Sequence, residues 1–301
     1  MSKLIFSVSV FLVGFLLING CVRDDTEELK EQEQRLLEKY LLDNGITQEP
    51  TASGLYFILL EDTVGISPDI TDVVEFEYTG KLINNRIFGT TDKELAEDEG
   101  IYNEYTMYGP MRVILQQTLT GLTEGFQLME EGEKAMMILP SDIAYGGNSL
   151  GIIPRYSTLI FIIHLQKVIS DPMAHETALI QKFMDEKGLT GQPTESGLYY
   201  FENVEGEGDY IPAGSRVSVY YKGYFLDGRV FDSNWDNPTP YSVNIPGEFI
   251  IEGWNEGLQL MKKGSKGILI VPYDLAYGAT GANTISPYMT LVFDMHVVDF
   301  Y

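Results

Sequence analysis

Two segments of this 301-residue chain place an aromatic ring in the same slot: "GRVFDSNWDNP" at 228–238 with Phe231, and "NRIFGTTDKEL" at 85–95 with Phe88. The residue after the ring is Asp232 in one and Gly89 in the other. Other residues that could carry covalent or metal chemistry are few. "GNSLG" from Gly147 fits G-x-S-x-G, but a nucleophile elbow needs a strand before it and a helix after it. Here "IIPRYSTLIF" follows, with a proline and strand-forming residues. "FDSNWDNPT" alternates acids without the glycine and distal glutamate of a calcium loop. "EGEGDY" from Glu205 reads as a turn between strands, not a phosphate cradle. His164, His175 and His296 are scattered without ligand spacing, and the lone Cys21 excludes an intrachain disulfide or a cysteine-rich metal site. No metal or cofactor is expected.

The elements around the paired segments form an internal repeat. "PTASGLYF" at Pro50 recurs as "PTESGLYY" at Pro193, and "YTG" at Tyr78 as "YKG" at Tyr221, both 143 residues on. "GLTEGFQLMEEGEK" recurs as "GWNEGLQLMKKGSK" after 132 residues, "IAYG" as "LAYG", and "STLIFIIHLQKV" as "MTLVFDMHVVDF". The copies are therefore collinear, and the first carries eleven extra residues between Gly89 and Leu119. That insert is polar and reads as a loop at the rim of its own copy. Val217, Val219 and Tyr221 alternate along one strand face, as do Val74, Phe76 and Tyr78. Asp227-Gly228 joins two strand-like runs as a hairpin, and Asn84-Asn85 holds the same place earlier. Ile250, Ile251, Trp254, Leu258 and Met261 make one apolar helix stripe that Gly264 ends. Each copy thus predicts an α+β domain, an antiparallel sheet covered by one short helix.

The termini of the repeats set the domains. Residues 1–20 have a basic start and a short apolar run, the pattern of a secretory signal. "LINGC" resembles a bacterial lipobox, which implies lipidation of Cys21 and a chain held to a membrane and facing the periplasm or cell surface; an uncleaved anchor is the alternative. Residues 21–49 read as a solvated spacer helix that packs one edge on the rest of the chain, with Leu29, Leu36, Leu37, Tyr40 and Leu41 near helical spacing; a dimerising helix is the sharper reading. Residues 50–170 and 171–301 are the two copies. "DPMAHETALIQKFMDEKGLTGQ" joins them and repeats the leading helix in brief. The net charge of −24 argues against nucleic-acid binding.

The ordered series "YYKGYFLDGRVFDSN", "GWNEGLQLMKKGSKGILIVP", "YGATG" and "TLVFD" resembles an FKBP-type peptidyl-prolyl cis-trans isomerase domain along most of the second copy. The resemblance implies a sheet wrapped around a short helix and a pocket for prolyl peptides. Its reacting cup would be Tyr221, Phe231, Asp232, Trp254, Tyr277 and Phe293, with Trp254 as floor; Tyr241, Ile250, Ile251 and Ile285 would bind substrate beside it. The loop 281–289 is one residue shorter than the family's usual form. The first copy keeps Tyr78, Phe88, Tyr145, Ile152, Ile153 and Phe161, but has Leu122 in the floor position and Gly89 in place of the carboxylate. That is a degenerate pocket, expected to be weakly active or inactive. The implied partners are prolyl polypeptides, with macrolide immunosuppressants as candidate ligands of the second cup. A chaperone that uses such folds only to hold chains is the alternative.

Overall fold

A computed structural model of the chain describes residues 25–301; the signal-like segment and Cys21 lie outside the described residues. The spacer forms α1 (Thr26–Asp43), and the first copy contributes β1 (Tyr56–Glu61), β2 (Val73–Leu82), β3 (Ile87–Thr90), α2 (Lys93–Asp98), β4 (Met111–Ile114), α3 (Thr120–Gln127), β5 (Lys134–Leu139) and β6 (Leu159–Ile169). The second contributes α4 (Pro172–Lys187), β7 (Tyr199–Val204), β8 (Glu207–Tyr210), β9 (Arg216–Phe225), β10 (Val230–Ser233), β11 (Tyr241–Asn244), α5 (Glu252–Gly257), β12 (Lys262–Lys263), β13 (Lys266–Val271) and β14 (Leu291–Phe300).

The two sheets have the same topology. The first runs β1-β5-β6-β2-β3 with β4 also on β2; the second runs β7-β13-β14-β9-β10 with β11 also on β9. All the pairings are antiparallel. The hairpins close as their turn residues dictate. Asn85 and Gly228 take φ of 67° and 89°, a region that asparagine and glycine enter at little cost. Register makes the copies equivalent residue by residue: Gly80 faces Gly89 and Phe161, and Gly223 faces Asp232 and Phe293.

Alternation decides which face is core. Val74 and Phe76 in one copy, Val217 and Val219 in the other, turn inward and are buried. The short helices α3 and α5 cover these inner faces, and each carries glycines one turn apart. A Cβ on Gly253 would lie 2.3 Å from Val271 Cγ1, and one on Gly257 2.6 Å from Leu269 Cδ1. Gly121 and Gly125 are similarly pressed on Leu139 and Met137. The glycine pair lets each helix lie close on its strand, aiming position 254 or 122 into the core.

The outer sheet faces are also covered. Leu37 and Tyr40 of α1 pack on Ile138 and Ile160, so the helix's apolar edge is used within its own domain, while Leu36 is exposed. Glu33 fixes that seat by accepting from the Ser141 N–H at 2.7 Å, the Ser141 hydroxyl at 2.6 Å and the Thr158 hydroxyl at 2.8 Å. The joining helix α4 does the same for the second sheet, burying Ile180, Phe183 and Met184 on Ile270 and Val292. It is no abbreviated copy: it runs 16 residues against 18 for α1. Asp171 caps its start and Gly188, at φ 65°, ends it.

The insert differs from the loop read in the sequence. Its extra length falls between β3 and β4, and it contains α2, which Asp92 initiates by accepting from the Leu95 N–H at 3.1 Å. Its descending arm stays bonded to its own rim, where the Gly109 N–H donates to the Thr91 carbonyl at 2.8 Å, and also reaches the second domain. Met107 packs against the core of the second domain, and Arg229 donates to the carbonyls of Tyr108 and Pro110 at 3.1 and 3.0 Å.

Candidate prolyl-binding site

The second domain gathers its aromatic residues into one cup, each delivered by a different element. Trp254 comes from the first turn of α5, Phe293 from near the start of β14, Tyr221 from β9 and Phe231 from β10. The rings meet edge to face, the arrangement their quadrupoles favour. Trp254 lies 5.0 Å from Tyr221 and 5.3 Å from Phe293, and Phe231 lies 5.6 Å from Phe293 at 86°. Trp254 and Phe293 form the floor at 5% and 4% exposure, whereas Tyr221 and Phe231 are half-buried. The floor is buried, and the rings around it are partly exposed.

Gly223 makes that geometry possible. A Cβ there would come 2.6 Å from the Phe231 ring and 3.0 Å from Phe293. Gly80 stands under Phe88 and Phe161 in the same way, and that ring pair sits at 5.5 Å and 77°. The sequence repeats this glycine in "YTG" and "YKG", a signal that reads as a strand glycine until the rings above it are seen.

The polar groups lie at the lip. The Tyr221 hydroxyl donates to Asp232 Oδ2 at 2.6 Å. Burial, then the hydrogen bond to that carboxylate, pushes the phenol's pKa above its usual value, so it remains a protonated donor. Tyr277, 40% exposed, has its pKa raised by burial and then by the charge of Asp232. Its hydroxyl is free to meet a carbonyl from a bound chain. Tyr241 stands on the rim 6.2 Å from Tyr221 and is exposed. Ile250, Ile251 and Ile285 pack half-buried against the same core. Below the lip, Trp254 Nε1 is buried without a hydrogen-bond partner. A buried N–H left unpaired costs about 1–3 kcal/mol, which a ligand acceptor would offset.

The first domain assembles the corresponding residues differently. Tyr78, Phe88, Leu122 and Tyr145 lie half-buried against a core that includes Ile153 and Phe161, with Ile152 exposed. Ile153 pairs with Leu150 as Ile285 pairs with Ala282, which makes the two loops equivalent. Aromatic volume has moved from the floor into the core. Where the second domain has Trp254, Val219 and Leu258, the first has Leu122, Phe76 and Phe126; Phe76 and Phe126 are buried edge to face at 4.9 Å. The carboxylate's place is also taken, since a Cβ on Gly89 would lie 2.9 Å from the Tyr78 hydroxyl. Burial pushes that phenol's pKa up, and it has no carboxylate beside it at position 89.

Among the described residues there is no cluster of metal-ligating side chains, and no helix is long and apolar enough to cross a membrane.

The sequence model of the FKBP-type peptidyl-prolyl cis-trans isomerase matches residues 65–166 and 208–298. The chain is 37% identical over 135 residues to the FKBP-type isomerase FkpA of Escherichia coli K12, covering 45% of this chain and 48% of that protein. It is 29% identical over 200 residues to FkpA of Buchnera aphidicola subsp. Acyrthosiphon pisum, covering 66% and 79%. The crystal structure of E. coli FkpA aligns with 44% of this chain and 60% of its own, at 37% identity and a TM-score of 0.39. The match to the E. coli relative thus spans about half of that relative's length. The family match extends over most of both copies, and the chain belongs to the FKBP-type peptidyl-prolyl cis-trans isomerase family.

Proposed function

We propose that the chain is a peptidyl-prolyl cis-trans isomerase whose working site is the cup of the second domain. The observation that carries this reading is the buried, edge-to-face aromatic floor of Trp254 and Phe293 beside the partly exposed Tyr221, Phe231 and Tyr277. Rotation about an X-Pro bond breaks amide conjugation, a barrier of about 18–20 kcal/mol. At the crest the carbonyl and the nitrogen no longer share charge. A dry aromatic cup favours that species over the planar amide, which prefers water, and it holds the prolyl ring still. Tyr277 supplies a hydroxyl to a substrate carbonyl, and the Tyr221–Asp232 pair fixes the lip. These steps need no nucleophile, so the aromatic and hydroxyl groups account for the chemistry.

The first domain is proposed to turn over prolyl bonds weakly or not at all. Gly89, Leu122 and the Phe76–Phe126 pair support this, since together they remove the carboxylate and the indole floor. The signal-like start and the lipobox-like Cys21 support a lipid-anchored location in the cell envelope, with folding polypeptides as substrates. A macrolide immunosuppressant would compete for the same cup.

A proline-containing tetrapeptide assayed with the full-length chain tests the reading. Trp254→Ala and Asp232→Ala should each lower kcat/KM by roughly tenfold or more, a loss of at least one transition-state contact. Phe88→Ala in the first domain should change it far less. Turnover lost with Phe88→Ala and kept with Trp254→Ala would assign the activity to the wrong domain. Protection of an unfolded client that survives the cup variants, without turnover in the parent chain, would favour the holding chaperone instead.

A further inference from the structure

We propose that the insert of the first domain is the outer wall of the second domain's substrate groove, a subsite for apolar or aromatic residues flanking the proline. This rests on the isomerase reading above. A groove of about 630 Å³ lies between the two domains, walled on one side by Tyr102, Tyr105 and Met107 and on the other by Val230, Phe231 and Asn283. Phe231 belongs to both the cup and this groove. A chain whose proline rests against Phe231 therefore has a flanking segment that continues into the groove.

The wall has the chemistry to bind side chains. Tyr105 is 78% exposed, and Tyr102, itself 46% exposed, stacks on Tyr108 at 5.6 Å and 11°. Rigid rings and an adaptable methionine suit varied apolar side chains. The wall is also held in place. Arg229, braced by Asp227 at 2.7 Å, grips the carbonyls of Tyr108 and Pro110. Gly109 between them has φ 95°, and a Cβ on it would lie 3.1 Å from Arg229 Nη1. Thus part of the insert that distinguishes the first copy walls the second copy's site. The first domain then contributes to selection of substrate even where it catalyses nothing.

Two peptides distinguish the outcomes in the full-length chain: a tetrapeptide that fills only the cup, and the same core extended at both ends with aromatic residues. Tyr105→Ser, at an exposed position, should lower kcat/KM for the extended peptide roughly fivefold more than for the short one, mainly through KM. Gly109→Ala, which strains and crowds the wall's anchor, should shift the ratio the same way. Equal effects on both peptides, or none on either, would overturn the subsite. If Tyr105→Ser instead converts a dimer to a monomer in sedimentation and leaves the ratio alone, the groove holds a second copy and the proposal fails. A parent chain inert toward both peptides would overturn the isomerase reading itself, and the subsite with it.

Discussion

At the scale of single residues, the two copies show how little separates a complete cup from an incomplete one. Asp232 and Gly89 occupy equivalent register positions opposite Gly223 and Gly80. Restoring the acid alone should not restore the site. In Gly89→Asp the new Cβ would fall 2.9 Å from the Tyr78 hydroxyl, and the floor beneath would still be Leu122. Added to the Trp254→Ala chain, Gly89→Asp should not raise the residual tetrapeptide turnover; recovery toward the parent rate would show that the carboxylate was all the first cup lacked. Gly223 is the more sensitive position. Gly223→Val puts a branched side chain where a single Cβ already comes 2.6 Å from Phe231, so the ring must leave its seat. Overpacking of this kind typically costs about 1–3 kcal/mol. Activity should fall well beyond what a stability loss of that size removes, checked by kcat/KM at a temperature where the variant remains folded by circular dichroism.

At the scale of elements, the cup depends on α5 lying close enough to its sheet to aim Trp254. The glycines 253 and 257 allow that approach, and Gly253→Ala would force the helix away from Val271, 2.3 Å from the added Cβ. The expected result is a lower midpoint in denaturant and a red-shifted emission from Trp254, read in a Trp235→Phe background because Trp235 is 43% exposed. Unchanged emission would mean that the strand yields and the helix does not. Much of this architecture is legible in the sequence, because strand alternation, the Asp-Gly hairpin and the helix stripe are local patterns. The repeat adds long-range information, since two copies with the same series must share one topology. The cup residues 221, 231 and 293 are brought together by strand register, and Trp254 joins them from the helix stripe. The role of Gly223 is hidden because a strand glycine looks the same whether a ring or solvent lies above it. The insert is misread for a related reason. Its polar residues say that it faces water, but not which domain it reaches across to. Nothing in the sequence singles out Arg112, and only the fold buries it.

At the scale of the whole molecule, that arginine joins the two domains through the helix between them. Arg112 on β4 donates to Glu75 Oε2 and to Glu176 Oε1, both at 2.7 Å, and to the Tyr288 carbonyl at 3.1 Å. Glu176 on α4 in turn accepts from the Thr290 N–H at 2.9 Å, and the Arg112 backbone N–H donates to the Ser286 hydroxyl at 3.2 Å. The first domain thereby holds the backbone of the loop that carries Ile285 in the second. Arg112 and Glu176 are both almost fully buried, and removing one partner of such a pair commonly costs about 3–5 kcal/mol. Arg112→Met should therefore destabilise the chain strongly, and the Arg112→Met/Glu176→Leu double variant should recover part of the loss. His175 adds a dependence on pH. Its Nε2 lies 3.5 Å from Arg112 Nη2, with Glu75, Glu176 and Lys167 also acting on it. Burial, then the arginine's charge, holds its pKa below the ordinary value of about 6.5. Folding thus favours the neutral ring. The contribution is intact above about pH 6.5, where the unfolded chain is neutral too, and is lost as the pH falls through the lower folded value. Melting temperatures measured from pH 7.5 down to 5 should drop more steeply for the parent chain than for His175→Gln. Parallel curves for the two would place the acid sensitivity elsewhere. A steeper parent curve, accompanied by a fall in extended-peptide turnover, would show that the same junction holds the domains together and keeps the groove in shape.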